Sequence, residues 1–243
     1  MCGICGVYGI NDKALIQRML SVLKHRGPDD EGIYTNASIS LGHARLSIID
    51  LTEKGRQPMS NEDGDIWLSV NGEIYNFKEL RVELEKKGHQ FYSNSDSEAI
   101  VHAYEEYGFD FLDKLRGMFA LALYDKRTKR LILARDPIGK KPLYYYRDKE
   151  TFIFASEIKA ILEAGVKKDI DQDALFTYLA YQYTLGEKTL FKGIKKVLPG
   201  NMLILEPQEF SVHEYWGIKE NTIQADDDYF INKHRLNIPK FFI

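Results

Sequence analysis

Both cysteines of this 243-residue chain stand within its first five positions, as Cys2 and Cys5 of "MCGICGVYGI". Three chemistries use thiols in such a place. A C-x-x-C dithiol exchanges electrons when its first sulfur sits at a helix N-terminus inside a βαβ unit, but this pair precedes every strand the chain can form. A zinc site needs two further ligands, and His25, His43, His89, His102, His213 and His234 include no pair at H-x3-5-H spacing, so no metal is expected. The third chemistry is nucleophilic attack by Cys2. Removal of Met1, which a small second residue permits, leaves Cys2 with a free α-amine titrating at about 7.7–8.0, and the neutral amine takes the thiol's proton directly or through water. The bland alternative is burial of small hydrophobes in a first strand. That reading is preferred for Cys5 and left open for Cys2.

A thiolate attacking a carboxamide needs donors where the carbonyl oxygen becomes charged. Asn71-Gly72 of "VNGEIYN" offers an amide N–H and a backbone N–H that no Cβ shields, although N-G is equally a hairpin turn. An amino-acid substrate also asks for a cation and an anion. Arg45 of "HARLSIID" matches a carboxylate bidentately, and Asp96 at a first helical position matches an ammonium or simply the helix dipole. Glu73 shares a strand face with Asn71 if the chain there is extended.

These residues must be carried by regular elements. β-branched and aromatic runs predict strands over 4–10, 32–34, 38–49 and 66–70, with a helix over 13–24 stopped by Gly27-Pro28. Helical periodicity predicts 76–87 and 96–107, the latter opened by a capping box of Ser95 and Glu98. Four strands follow over 118–124, 130–134, 143–146 and 151–155, then helices over 157–163 and 172–183 and strands over 201–205 and 212–215. Runs of strands broken by runs of helices imply an α+β fold of two antiparallel sheets with helices outside them.

Composition narrows the function classes. A net charge of -3 and pI near 6.1 offer no basic face for nucleic acid. No apolar run approaches a membrane span and no secretory leader is evident, so neither membrane nor export is expected. Two closely spaced cysteines suit a reducing compartment, which predicts the cytoplasm.

Taken together, the segments resemble the glutamine amidotransferase domain with an N-terminal cysteine, in the branch of the glutamine-hydrolysing asparagine synthetases. The runs carrying the resemblance are "MCGICGVYG", "HRGPDDEG", "GHARLSIIDL", "QPMSNEDG", "VNGEIYNFKEL", "SDSEAIVHAYEEYG", "LRGMFALALYD", "ARDPIGKKPLYY" and "FASEIKAIL". The resemblance implies a four-layer αββα sandwich, the fold of hydrolases with N-terminal nucleophiles. It implies Cys2 as nucleophile, Asn71 and Gly72 as oxyanion hole and Arg45 as ligand of the α-carboxylate. Glu73 and Asp96 are then expected at the α-amine, and Leu46, Ser47, Ile48 and Ile49 along the glutamine pocket. Arg26 and Asp29 are expected to position the first strand.

The implied domains are a glutaminase core over 1–165, its C-terminal part with a bridge over 166–220, and a divergent or truncated tail over 221–243. The bridge contains "LFKGIKKVLPGNML" and "EYW". In the family a synthetase domain uses ATP and Mg to convert aspartate to asparagine with the released ammonia. Neither its S-G-G-x-D-S run nor a G-x-x-x-x-G-K-[ST] loop occurs here, so no cofactor is expected in this chain. Glutamine is the expected substrate. A separately encoded synthetase partner and a homo-oligomer are compatible with this reading, as is a catalytically silent glutamine-binding remnant.

Overall fold

The computed structural model describes residues 1–149, 151–218 and 229. The expected tail over 221–243 therefore lies outside the described residues, apart from Tyr229. Twelve strands make two six-stranded antiparallel sheets. In chain order they are β1 (Gly3–Tyr8), β2 (Asp30–Asn36), β3 (Ile39–Arg45), β4 (Met59–Ser60), β5 (Ile66–Ile74), β6 (Gly117–Asp125), β7 (Arg130–Arg135), β8 (Tyr144–Arg147), β9 (Phe152–Ala155), β10 (Ile194–Lys196), β11 (Asn201–Glu206) and β12 (Glu209–Glu214). The helices are α1 (Lys13–Ser21), α2 (Phe77–Lys86), α3 (Glu98–Tyr107), α4 (Phe111–Lys114), α5 (Ile158–Glu163) and α6 (Gln172–Tyr181). The first sheet runs β10-β8-β9-β1-β3-β2 and the second β12-β11-β7-β6-β5-β4.

Period-2 alternation sorts the side chains of β1 into two layers. Ile4 enters the core between the sheets with Leu41, Ala120, Tyr124, Leu133, Phe154 and Leu203, while Cys5 and Val7 face Ile16, Met19 and Leu20 of α1. On the far side, α2, α3 and α4 cover the second sheet through Leu80, Leu84, Ile100, Ala103, Tyr104 and Phe111. The result is the four-layer αββα sandwich. Each fully buried Ile or Leu in these layers stabilises the fold by about 1.5–3 kcal/mol, so Ile16→Ala should loosen α1 at a cost of about 2–5 kcal/mol.

α1 starts where Asp12 accepts the Leu15 N–H at 2.8 Å and ends at Ser21, three residues before the expected stop, because the chain turns tightly ahead of Pro28. α3 differs more. It opens at Glu98 after Ser97, and no capping box forms. Ser95 instead accepts the Ser97 N–H, and the Glu98 carboxylate reaches back to the N–H groups of Tyr92 and Ser93 at 2.7 and 2.8 Å. Asp96 therefore stands in the approach to the helix, two residues before its first turn. β5 extends four residues beyond the expected strand, which places Asn71-Gly72 inside a strand paired with β6 rather than in a turn.

Candidate active site

Polar ties bring the two sheets together beside the end of β1. His43 of β3 is fully buried and donates from Nε2 to the Val70 carbonyl of β5 at 3.0 Å, while Ser69 Oγ donates to the Gly42 carbonyl at 3.2 Å. Burial lowers the His43 pKa to about 4, so the ring is neutral. Beyond this tie, Arg45 at the end of β3 and Asn71, Gly72 and Glu73 on β5 converge on Cys2. A cavity of about 110 Å³ opens there. Its wall includes Cys2, Arg45, Leu46, Ile48, Ile49, Asn71, Gly72, Glu73 and Asp96.

Cys2 is half-buried just ahead of β1. Its sulfur lies 3.4 Å from the Leu46 N–H, and Arg26 Nε donates to its carbonyl at 2.9 Å. Arg26 is itself anchored by Glu157 at 2.8 Å, so its expected support of the first strand is present. Asp29 acts elsewhere: its carboxylate accepts the Ser47 N–H at 2.8 Å, holding the loop after β3. Ser47 is not part of the cavity wall, unlike its neighbours Leu46, Ile48 and Ile49.

Burial pushes the Cys2 thiol above its ordinary value, against the opposing pull of the Leu46 N–H and of nearby positive charge that includes Arg45 and Lys141. The thiol is therefore protonated at neutral pH. Cys5 is completely buried under α1, and desolvation drives its pKa far upward. The two sulfurs occupy different layers and no disulfide joins them, which removes the geometric basis for a C-x-x-C exchange pair.

The Asn71 amide is buried and its Nδ2 has no hydrogen-bond partner among the described residues. A buried donor left open in this way costs about 1–3 kcal/mol until an acceptor arrives. Gly72 is required for a reason other than substrate approach: a Cβ there would strike Met118 and Phe119 on β6. Arg45 is held by the carbonyls of Asp50 and Thr52, and Gly55 leaves room for its guanidinium. Asp96 accepts the Ile74 N–H at 2.7 Å. Burial, reinforced by the Glu73 charge, raises its pKa, so an incoming ammonium would stabilise its ionised form.

Several wall residues escaped the sequence reading. Gln57 accepts the Val70 N–H at 2.7 Å and donates to Ser97 Oγ at 3.2 Å, tying β5 to the approach of α3. Asp50 accepts from Thr52 and from the Asn94 N–H at 2.9 Å, binding the two rim loops together. Lys141 is a buried cation in the wall, from the turn between β7 and β8. Gln57 opens "QPMSNEDG" and Lys141 lies in "ARDPIGKKPLYY", so their motifs were visible while their direction was not.

A family profile described as a glutamine amidotransferase domain matches residues 1–216. The chain belongs to the glutamine amidotransferase domain family. This amidotransferase domain is 38% identical to asparagine synthetase [glutamine-hydrolyzing] 1 of Bacillus subtilis, an alignment covering 97% of the chain and 38% of that protein. It is 37% identical to the putative asparagine synthetase [glutamine-hydrolyzing] 2 of Methanocaldococcus jannaschii over 90% of the chain and 47% of that protein. It thus spans less than half the length of these relatives. Among solved structures, the glutamine phosphoribosylpyrophosphate amidotransferase of B. subtilis superposes with a TM-score of 0.67 at 22% identity, covering 88% of this chain and 49% of that one. That likeness concerns the fold, which is the αββα sandwich. No helix among the described residues is long and apolar enough to cross a membrane.

Proposed function

We propose that this domain hydrolyses glutamine to glutamate and ammonia through a thioester on Cys2, as the glutaminase half of an asparagine-synthetase-type enzyme. The observation that carries the reading is the buried Asn71 Nδ2, unpartnered among the described residues, in the same cavity wall as the Cys2 thiol, Arg45 and Asp96.

Arg45 binds the α-carboxylate of glutamine and Asp96, with Glu73, its α-ammonium. Because burial keeps the Cys2 thiol protonated, attack needs a proton acceptor. Removal of Met1 supplies it as the α-amine of Cys2. The amine takes the thiol proton as sulfur bonds to the side-chain carbonyl carbon, and the oxygen's charge falls to Asn71 Nδ2 and the Gly72 N–H. Collapse breaks the C–N bond. The ammonium returns its proton to the departing nitrogen, which leaves as ammonia, and water then splits the thioester to glutamate and free thiol.

The exposed residues Phe176, Leu179, Tyr181 and Tyr183 form an apolar surface on and after α6, which supports docking of a synthetase domain or partner. That unit would use ATP, Mg and aspartate, and the reaction as a whole would be cytoplasmic.

The test combines intact mass with labelling. A sample lacking Met1 is treated with a glutamine analogue bearing an electrophile at the carboxamide position and mapped by peptide. Label on Cys2, with glutamate and ammonia released from untreated enzyme, is the expected result. Failure to label Cys2 overturns the proposal, and glutamine binding without ammonia release would favour a silent binding domain.

A further inference from the structure

On the outer side of the second sheet, far along α3 from Asp96, two imidazoles and a group of carboxylates meet. His102 and Glu105 lie one turn apart on α3, His89 follows α2, and Glu62 sits in the turn between β4 and β5. Ligand atoms of His89, His102 and Glu105 all lie within 4.8 Å of one another. Glu105 Oε2 is 2.8 Å from His102 Nδ1 and 3.7 Å from His89 Nδ1, and Glu62 Oε2 is 3.9 Å from His102 Nδ1. Four ligands at 2.0–2.1 Å in a tetrahedron are spaced by about 3.3–3.4 Å. The Glu105 separations fall on both sides of that spacing, while Glu62 stands outside the group of three and its carboxylate would have to swing inward to complete the set.

The surroundings are those of a site rather than of a loose charge cluster. Each histidine turns Nδ1 inward and Nε2 toward a separate carboxylate: His89 Nε2 is 3.3 Å from Glu106 and His102 Nε2 is 3.6 Å from Glu98. Outer carboxylates in that position orient metal-binding imidazoles and fix their tautomer. The remaining oxygen of each acidic ligand is also held, Glu105 Oε1 by Asn61 Nδ2 at 2.7 Å and Glu62 Oε1 by the Gln90 N–H at 3.0 Å. His102 is completely buried, with Nε2 short of a hydrogen bond among the described residues and Phe91 packed on its ring at 4.5 Å between centroids. Lys87 neutralises Glu106, which leaves Glu62, Glu98 and Glu105 facing the two imidazoles.

We propose that His89, His102, Glu105 and Glu62 form a divalent transition-metal site, suited to zinc, that staples α3 to the loop before it and to the β4–β5 turn. Histidines 13 positions apart escape a search for short H-x-H spacings, which is why the sequence reading expected no metal. The role is structural, since a completed set of four protein ligands leaves no open position for substrate.

The test uses untagged chain carrying Cys2→Ala, because a terminal thiol and amine would chelate metal themselves. Titration with Co2+ should show one equivalent taken up with the visible absorption of a tetrahedral centre, displaced by Zn2+. At a hundredfold excess over Kd, Zn2+ should raise Tm by about 5–10 °C. His89→Gln, at a partly exposed loop position, should bind at least tenfold more weakly, as should Glu62→Gln. His102→Gln should abolish uptake, and if it does not fold, His89→Gln decides. Absence of cobalt uptake, uptake undiminished in His89→Gln, or a Tm indifferent to zinc would overturn the proposal and leave His102 a buried histidine paired with carboxylates.

Discussion

The two cysteines share one strand end and have opposite fates. Cys2 precedes β1 at the mouth of a cavity, flanked by the Leu46 N–H and by positive charge, whereas Cys5 is sealed beneath α1 among Val7, Ile16 and Leu20. Three positions of sequence separate a thiol open to chemistry from one that fills space. The difference teaches that reactivity here comes from which layer of the sandwich a side chain enters, and the pleat of β1 decides that for Cys5.

The contrast breaks most sharply by exchange of single atoms. Cys2→Ala is expected to reduce glutamate release by at least about 10³-fold, while Cys5→Ser keeps most of the activity per folded molecule. Burying a hydroxyl in place of the Cys5 thiol should nevertheless cost about 1–3 kcal/mol in denaturant unfolding. Equal losses of activity in the two variants would restore the paired-thiol reading. Asn71→Ala should lower kcat by about 10²–10³ with little change in KM, since its amide is free to accept charge only as the tetrahedral oxygen forms. A loss confined to KM would make Asn71 a ground-state contact.

Two further measurements sharpen the contrast between sealed interior and open mouth. His43 is held neutral with a pKa of about 4, below its unfolded value of about 6.5, so the unfolded chain binds more protons between those values. Stability should therefore fall as pH drops through that window, by about 1.5 kcal/mol from 6.5 to 5. His43→Gln should flatten that part of the profile, and an unchanged slope would deny the neutral tie. At the mouth, Asp96→Asn keeps an acceptor for the Ile74 N–H but loses the ammonium partner. KM for glutamine should rise about tenfold or more, roughly 1.4 kcal/mol. The Tm of the free protein should not fall, because the raised pKa of Asp96 marks a charge that folding disfavours.

Periodicity revealed most elements to within a few residues, because the apolar layers under α1, α2 and α3 impose regular spacing on their sequences. It failed where long-range pairing overrode local preference. Asn71-Gly72 has the composition of a turn, yet nine residues of β6 pair with β5 and hold it straight. Ser95 and Glu98 have the spacing of a capping box, but the Glu98 carboxylate is recruited by the backbone of Tyr92 and Ser93. β4 and β10 are too short to show a period of their own. At the site, residue types left Cys2, Arg45, Asn71 and Asp96 open to bland readings and the family resemblance singled them out, whereas Gln57 and Lys141 depended on loop direction. Asp29, eighteen residues earlier, holds the Ser47 backbone in a way no local pattern shows. The His89–His102 cluster is assembled across two elements and leaves no compact motif.

The place of β1 within its sheet bears on how this polypeptide is made. One of its neighbours, β3, ends at Arg45, but the other, β9, is complete only at Ala155. At about 5–20 residues per second, translation separates the two events by roughly five to twenty seconds. For that interval the leading segment lacks one flank, and because β9 then pairs only with Cys5–Tyr8, Met1 stays 56% exposed and within reach of an aminopeptidase even after the sheet is complete.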